Sequence, residues 1–234
     1  MHSPHGKLVG VIGGMGPLAT VYFAQRIIFF TPAKCDSDHV PLIIDNRPDI
    51  PDRTAFLEGK GESPLPYLKR SIHTLQNAGC KILVMPCNTS HYFIKELQEE
   101  SDVPIIDMVE ETVKEVKKRN LSGKIALIAT RGTYLAGIYD KIAEKKGVSI
   151  IKPNNSEQEK IMEFLYDVKS GQKVNSDDFK NLLDDISSSK VTHFLSGCTE
   201  APILFKNTGV DYPVLDAGDI LAKKAIEMSL GIKL

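Results

Sequence analysis

Apolar and polar positions fall in blocks of two lengths along the 234 residues of the chain. Short runs rich in Val, Ile and Leu occupy residues 8–12, 40–44, 81–85, 103–106, 124–129, 148–151, 191–195 and 213–215. They are continuously apolar rather than alternating, as strands covered on both faces must be. Between them lie longer stretches with helical spacing, at 18–30, 67–78, 89–100, 109–119, 134–146, 157–169, 177–187, 200–206 and 218–229. Strands alternating with helices call for parallel sheets joined by right-handed crossovers, so the fold class is α/β. Residues 47–66 interrupt the pattern. Pro48, Pro51, Pro64 and Pro66, with Gly59 and Gly61, read there as a long surface loop, of the kind used as a lid or binding loop.

The pattern also repeats within the chain. Lys7-Leu8-Val9 matches Lys124-Ile125-Ala126 at an offset of 117 (124 − 7), and in that register Tyr22 falls on Tyr139. Cys87-Asn88-Thr89 matches Cys198-Thr199-Glu200 at 111 (198 − 87), and Pro104-Ile105-Ile106-Asp107 matches Pro213-Val214-Leu215-Asp216 at 109 (213 − 104). The order is kept and the offset drifts by loop lengths, as two related halves require. The polar stretch 117–123 is the natural seam. We therefore expect two α/β halves with parallel sheets, residues 1–120 and 121–234. A pseudo-twofold axis relates them, a cleft lies between them, and the last helix is placed to pack back on the first half.

Composition narrows the function classes. Lys+Arg 29 against Asp+Glu 30 gives a net charge of −1, so no global field draws the chain toward nucleic acid or membrane. No apolar run reaches the roughly 18 residues of a membrane span. Residues 1–6 are too few and too polar to act as a secretory signal. Four cysteines without a CxxC pair argue against a disulfide scaffold or a zinc ribbon. The expectation is a reduced, cytoplasmic protein.

Two of those cysteines stand apart. Cys87 and Cys198 each close an apolar strand and precede a helical run, and ligands of α/β sheets bind beyond the carboxyl ends of strands. A helix N-terminus also stabilises a thiolate, so both thiols are expected to be primed. Cys35 and Cys80 occupy no such junction and read as structural. Two thiols opposed across a pseudo-twofold axis suit racemisation, which needs one proton acceptor and one donor on opposite faces of a carbon. A rival reading starts from Gly14-Met15-Gly16-Pro17-Leu18-Ala19, which satisfies the nucleotide-binding pattern G-x-G-x-x-A, with Asp45 ending the next strand. It leaves the duplicated cysteine junctions unexplained. Gly13 and Gly14 are read instead as admitting a small substrate close to the backbone. His91 and His193, near the two cysteines, read as structural.

Six motifs carry a family resemblance. They are Ile12-Gly13-Gly14-Met15-Gly16-Pro17, Ile50-Pro51-Asp52-Arg53-Thr54-Ala55, Leu57-Glu58-Gly59-Lys60-Gly61-Glu62, Met85-Pro86-Cys87-Asn88-Thr89-Ser90-His91, Ala129-Thr130-Arg131-Gly132-Thr133 and Gly197-Cys198-Thr199-Glu200. Together they resemble the cofactor-independent aspartate/glutamate racemase superfamily, and within it the archaeal-type aspartate racemases. The resemblance implies racemisation of an acidic amino acid, aspartate first, with no pyridoxal phosphate and no metal, commonly by a homodimer. It makes Cys87 and Cys198 the catalytic thiols. Asn88, Thr89 and Thr199 would hold the α-carboxylate and amino group, Arg53 and Lys169 the distal carboxylate, and Met15 and Thr130 would complete the binding set. Related glutamate racemases usually carry His where this chain has Glu200, which favours aspartate. Glutamate, hydantoin or maleate chemistry, arylmalonate decarboxylation, and non-catalytic binding of a dicarboxylate or a nucleotide stand as alternatives.

Overall fold

The computed structural model describes residues 6–121, 123–188 and 190–234. The leading residues 1–5 and Ser122 of the seam lie outside the described residues. In the first half, β1 (Val9–Gly13) runs parallel between β2 (Leu42–Asn46) and β3 (Ile82–Val84), in the order β2-β1-β3. In the second, β4 (Lys124–Ile128), β5 (Ile150–Ile151), β6 (Val191–Ser196) and β7 (Val214–Asp216) form a parallel sheet in the order β5-β4-β6-β7. Leu83 also bridges Ile105 in parallel, so the first sheet repeats the second with its fourth strand reduced to one bridge. The strand expected over 103–106 pairs with β3 around Leu83 alone, whose N–H donates to the Pro104 carbonyl and whose carbonyl accepts the Ile106 N–H, both at 2.9 Å.

The helices are α1 (Pro17–Phe30), α2 (Arg53–Leu57), α3 (Leu65–Asn77), α4 (Ile94–Glu100), α5 (Met108–Arg119) and α6 (Arg131–Ala136), then α7 (Ile138–Lys146), α8 (Asn155–Lys169), α9 (Ser176–Ser187), α10 (Ala201–Thr208) and α11 (Ala217–Leu230). Three differ from the sequence expectation. Residues 47–66 are not all loop: Asp52 accepts the Ala55 N–H at 2.7 Å, an N-cap that starts α2. The helix expected over 134–146 divides into α6 and α7 at Gly137, whose φ of 59° is left-handed. The one expected over 89–100 opens as a 3-10 turn, Thr89–Phe93, before α4.

The halves exchange their last helices. Ala217, Leu221, Ala222, Ala225 and Ile226 of α11 share a core with Val9 and Val11 of β1, Ile82 and Val84 of β3, and Phe23 and Ile27 of α1. Val109, Val113 and Val116 of α5, from the first half of the chain, pack with Ile125, Leu127, Leu195 and Leu215 of the second sheet. Burying each apolar helix face on the other half's sheet ties the two sheets together. Among the described residues no helix is long and apolar enough to cross a membrane.

Candidate active site

The chain turns out of β1, β3, β4 and β6 meet at one narrow cavity. It lies beyond the carboxyl ends of parallel strands from both halves, where α/β sheets hold ligands. Met15, Arg53, Cys87, Asn88, Thr89, Thr130, Lys169, Cys198 and Thr199 all line it, so every site residue named from the sequence comes to one place. Asp52, Thr54, Gly197 and Glu200 line it as well.

The cysteines are equally buried, 6% exposed each, but their surroundings differ. The Ser90 hydroxyl donates to Cys87 Sγ at 3.1 Å and lies 3.2 Å from Met15 Sδ. Cys198 Sγ instead donates to Glu200 Oε2 at 3.0 Å, an oxygen that also accepts the Thr199 hydroxyl at 3.3 Å. Burial pushes the Cys198 thiol well above the ordinary range, and Glu200 pushes it further, while Lys169 pulls the other way. The sequence expects a thiolate favoured by the helix N-terminus; at Cys198, burial and the neighbouring Glu200 carboxylate favour the thiol instead. Burial disfavours the charge on Lys169, but Cys198 and Glu200 outweigh it and hold its pKa up at about 12.

Several donors face the cavity without partners. Arg53 is 8% exposed; its Nη1 donates to the Ile50 and Pro51 carbonyls and its Nη2 to the Met15 carbonyl. Of five N–H groups, three are thereby used, which leaves Nε, recorded without a partner, and one Nη2 hydrogen. The Tyr139 hydroxyl donates to Asn88 Oδ1 at 2.6 Å, which fixes the amide so that Nδ2 is the free end, buried and unpaired. Unpaired buried donors are costly and call for an acceptor. Thr89 Oγ1 lies 3.0 Å from Thr130 Oγ1 and 2.8 Å from Thr133 Oγ1, a hydroxyl cluster joining the halves.

Sequence reasoning missed Tyr139, visible there only as the repeat of Tyr22, and it missed the Glu200 contact. It also misread the glycines. A Cβ on Gly14 (φ 94°) would lie 2.2 Å from the Arg47 carbonyl carbon, and one on Gly13 would lie 2.5 Å from Thr20 Cγ2. These glycines make room for protein, not for substrate. The Gly14 N–H donates to Thr20 Oγ1 at 2.9 Å, so it is not free to cradle a phosphate as the nucleotide reading needs. His91 receives the Met108 N–H on Nε2 (3.1 Å), which leaves Nδ1–H to donate to the Cys87 carbonyl (2.9 Å) and gives it a structural role. His193 Nδ1 lies 3.0 Å from the Thr192 hydroxyl. Among the described residues, no three His, Cys, Asp or Glu side chains are grouped to hold a metal.

Comparison with known proteins gives the family of the chain. The model of the family described as Asp/Glu/hydantoin racemase matches residues 12–225. The chain is 24% identical to a broad specificity amino-acid racemase of Bacillus subtilis, over 95% of this chain and 98% of the relative. It is 31% identical to the glutamate racemase of Persephonella marina, over 68% of this chain and 61% of that one. The solved structure of Picrophilus torridus aspartate racemase superposes with a TM-score of 0.79 at 30% identity, covering 98% of this chain and 96% of its own.

Proposed function

The chain belongs to the Asp/Glu/hydantoin racemase family, and from that premise we propose that it interconverts L- and D-aspartate without a cofactor, using Cys87 and Cys198 on opposite faces of the α-carbon. The observation that carries this reading is two buried cysteines lining one cavity with unpaired Arg53 Nε and Asn88 Nδ2 donors. One thiolate removes the α-proton while the other thiol delivers its own proton to the opposite face. The sulfur that acted as base ends as the thiol, and the roles reverse for the mirror-image substrate. The α-hydrogen is weakly acidic, so charge developing toward the α-carboxylate needs preorganised donors. Asn88 Nδ2 supplies one, and the Thr89 and Thr199 side chains line the cavity beside it. Arg53 offers its Nε–Nη2 edge to the distal carboxylate, a pair of parallel donors matched to two oxygens, and Lys169 adds charge.

Glu200, which stands where related glutamate racemases usually carry His, favours aspartate. Glutamate is the second reading, supported by the glutamate racemase among the relatives. The test is α-proton exchange of L- and D-aspartate in heavy water, followed by NMR and optical rotation, with reductant and no cofactor. Exchange with loss of rotation is expected. No exchange from aspartate or glutamate overturns the assignment, and faster turnover of glutamate in parallel tubes reverses the substrate preference.

A further inference from the structure

The two cysteines differ chiefly through one side chain. Glu200 is 2% exposed, and its Oε2 accepts from Cys198 Sγ at 3.0 Å and from the Thr199 hydroxyl. Its Oε1 occupies the space beside Gly16, where an added Cβ would come within 3.1 Å of it. The carboxylate thus meets the sulfur through Oε2, with Oε1 packed beside Gly16. The equivalent position of the first half, 111 residues earlier (200 − 89), is Thr89, whose hydroxyl bonds Thr130 and Thr133 instead of Cys87. Cys87 Sγ accepts from Ser90, a group without charge.

A two-thiol racemase must begin each turnover with one sulfur protonated and the other not. A thiol that donates to a buried carboxylate is held as an acid, because its ionisation would set two negative charges side by side. Resting on the racemase reading above, we propose that Glu200 is a positioning residue that keeps Cys198 as the thiol until substrate is bound, so that Cys198 enters the reaction as proton donor and Cys87 as proton acceptor. The groups facing Cys198 are Glu200 from its own segment, Lys169 from α8, and the hydroxyls of Tyr134 and Tyr139 from α6 and α7. Lys169 and a hydrogen bond from the Glu200 backbone N–H favour a thiolate, but Lys169 faces the Glu200 carboxylate as well, so its charge is shared with a group already in place.

The consequence is kinetic. Mirror images are equal in free energy, so kcat/KM must be the same for both enantiomers, and inequality between the sulfurs appears in kcat and KM taken separately. The enantiomer whose α-hydrogen meets Cys87 finds the populated enzyme form. The other must wait for the minor form, and its KM is raised by that fraction.

Glu200→Gln keeps the shape and removes the charge. Iodoacetamide alkylation at a series of pH values, mapped by peptide mass spectrometry without substrate, should show the Cys198 midpoint moving down by about one unit. Exposed Cys35 should not move, and buried Cys80 should stay protected, which reports an intact fold. The ratio of KM values for the two aspartate enantiomers should shrink by about tenfold while kcat/KM stays equal for both. Glu200→Asp, which retains the charge, should lie between wild type and Glu200→Gln. A Cys198 midpoint unmoved in Glu200→Gln overturns the proposal. So does a wild-type Cys198 midpoint below that of Cys87, a measurement that needs no variant. A Cys198 midpoint that moves in a protein that racemises nothing sustains the effect of Glu200 on the thiol and rejects the racemase reading instead.

Discussion

The two halves repeat a strand order and a cysteine junction, yet they set different groups beside the sulfur. After β3 the chain passes from Cys87 into a 3-10 turn, and a serine hydroxyl meets the sulfur. After β6 it passes from Cys198 through Glu200 into α10, and a buried carboxylate meets the sulfur. A duplicated fold supplies two equivalent positions facing one cavity. Proton transfer in one direction and then the other needs those positions to be chemically unequal at any moment. On the reading proposed above, divergence at two neighbouring places, Thr89 against Glu200 and Ser90 against Ala201, provides that inequality without disturbing the frame. What the halves share therefore serves geometry, and what they do not share serves protonation.

The strongest way to break the comparison is to remove one sulfur at a time. Cys87→Ser and Cys198→Ser should each lower racemisation by about 10²–10⁴-fold, since each deletes a general acid–base group. Near-wild-type turnover in either variant would end the two-thiol mechanism. Arg53 comes next. Arg53→Ala should raise KM for aspartate by about 10–100-fold, from loss of charge-assisted hydrogen bonds of about 1.5–3 kcal/mol. Turnover of alanine, if measurable, should fall much less. Equal losses on both amino acids would show that Arg53 holds the 50–53 segment through the Ile50, Pro51 and Met15 carbonyls rather than reading a carboxylate.

Much of this arrangement was legible in the sequence, for a physical reason. Buried parallel strands must be apolar on both faces, so β1, β4 and β6 announce themselves, and their carboxyl ends locate the cavity. Cys87 and Cys198 are visible because they sit where those apolar runs stop. What periodicity does not carry is partnership. The apolar faces of α5 and α11 declare that they are buried, but not that each is buried on the other half's sheet. Tyr139 reads as one more core aromatic until its hydroxyl is seen on Asn88. Glu200 reads as the first residue of a helix until its oxygen is found 3.0 Å from a sulfur. Helix α2 was hidden among prolines, although Asp52 three residues before Ala55 is a capping signal.

A gentler perturbation probes how closely the halves must approach. At Gly132 an added Cβ would lie 2.9 Å from Thr54 Cα and 2.9 Å from Thr89 Cγ2, so the start of α6 packs directly on α2 and on the cysteine turn. Gly132→Ala should cost about 1–3 kcal/mol through overpacking. It should also reduce racemisation by parting Thr89 from Thr130 and Thr133, since backbone at Thr54 cannot yield as a flexible side chain would. Thermal unfolding and kcat measured together check this. Lost stability with full activity would mean that the hydroxyl cluster is not needed in its present geometry.

The smallest expected effect concerns the exchanged helices, and it is a matter of pH. Asp107 caps α5 by accepting the Glu110 N–H at 2.9 Å, and Asp216 caps α11 by accepting the Gly218 N–H at 2.7 Å. Burial, and then the nearby Asp219, push the Asp216 carboxyl up to about 7, against an unfolded value near 4. The folded chain therefore keeps a proton that the unfolded chain has released. The contribution of this group to stability is intact below about pH 4 and is lost as the pH rises toward 7. Asn serves as an N-cap about as well as Asp and has no charge to desolvate. Asp216→Asn should thus match wild type in Tm near pH 4 and exceed it at pH 8, by about 2–4 °C for each kcal/mol of desolvation removed. Asp107→Asn reports the effect of the cap exchange alone. A Tm difference for Asp216→Asn that is flat from pH 4 to 8 would mean that the carboxyl is solvated, and that α11 meets the first half less closely than α5 meets the second.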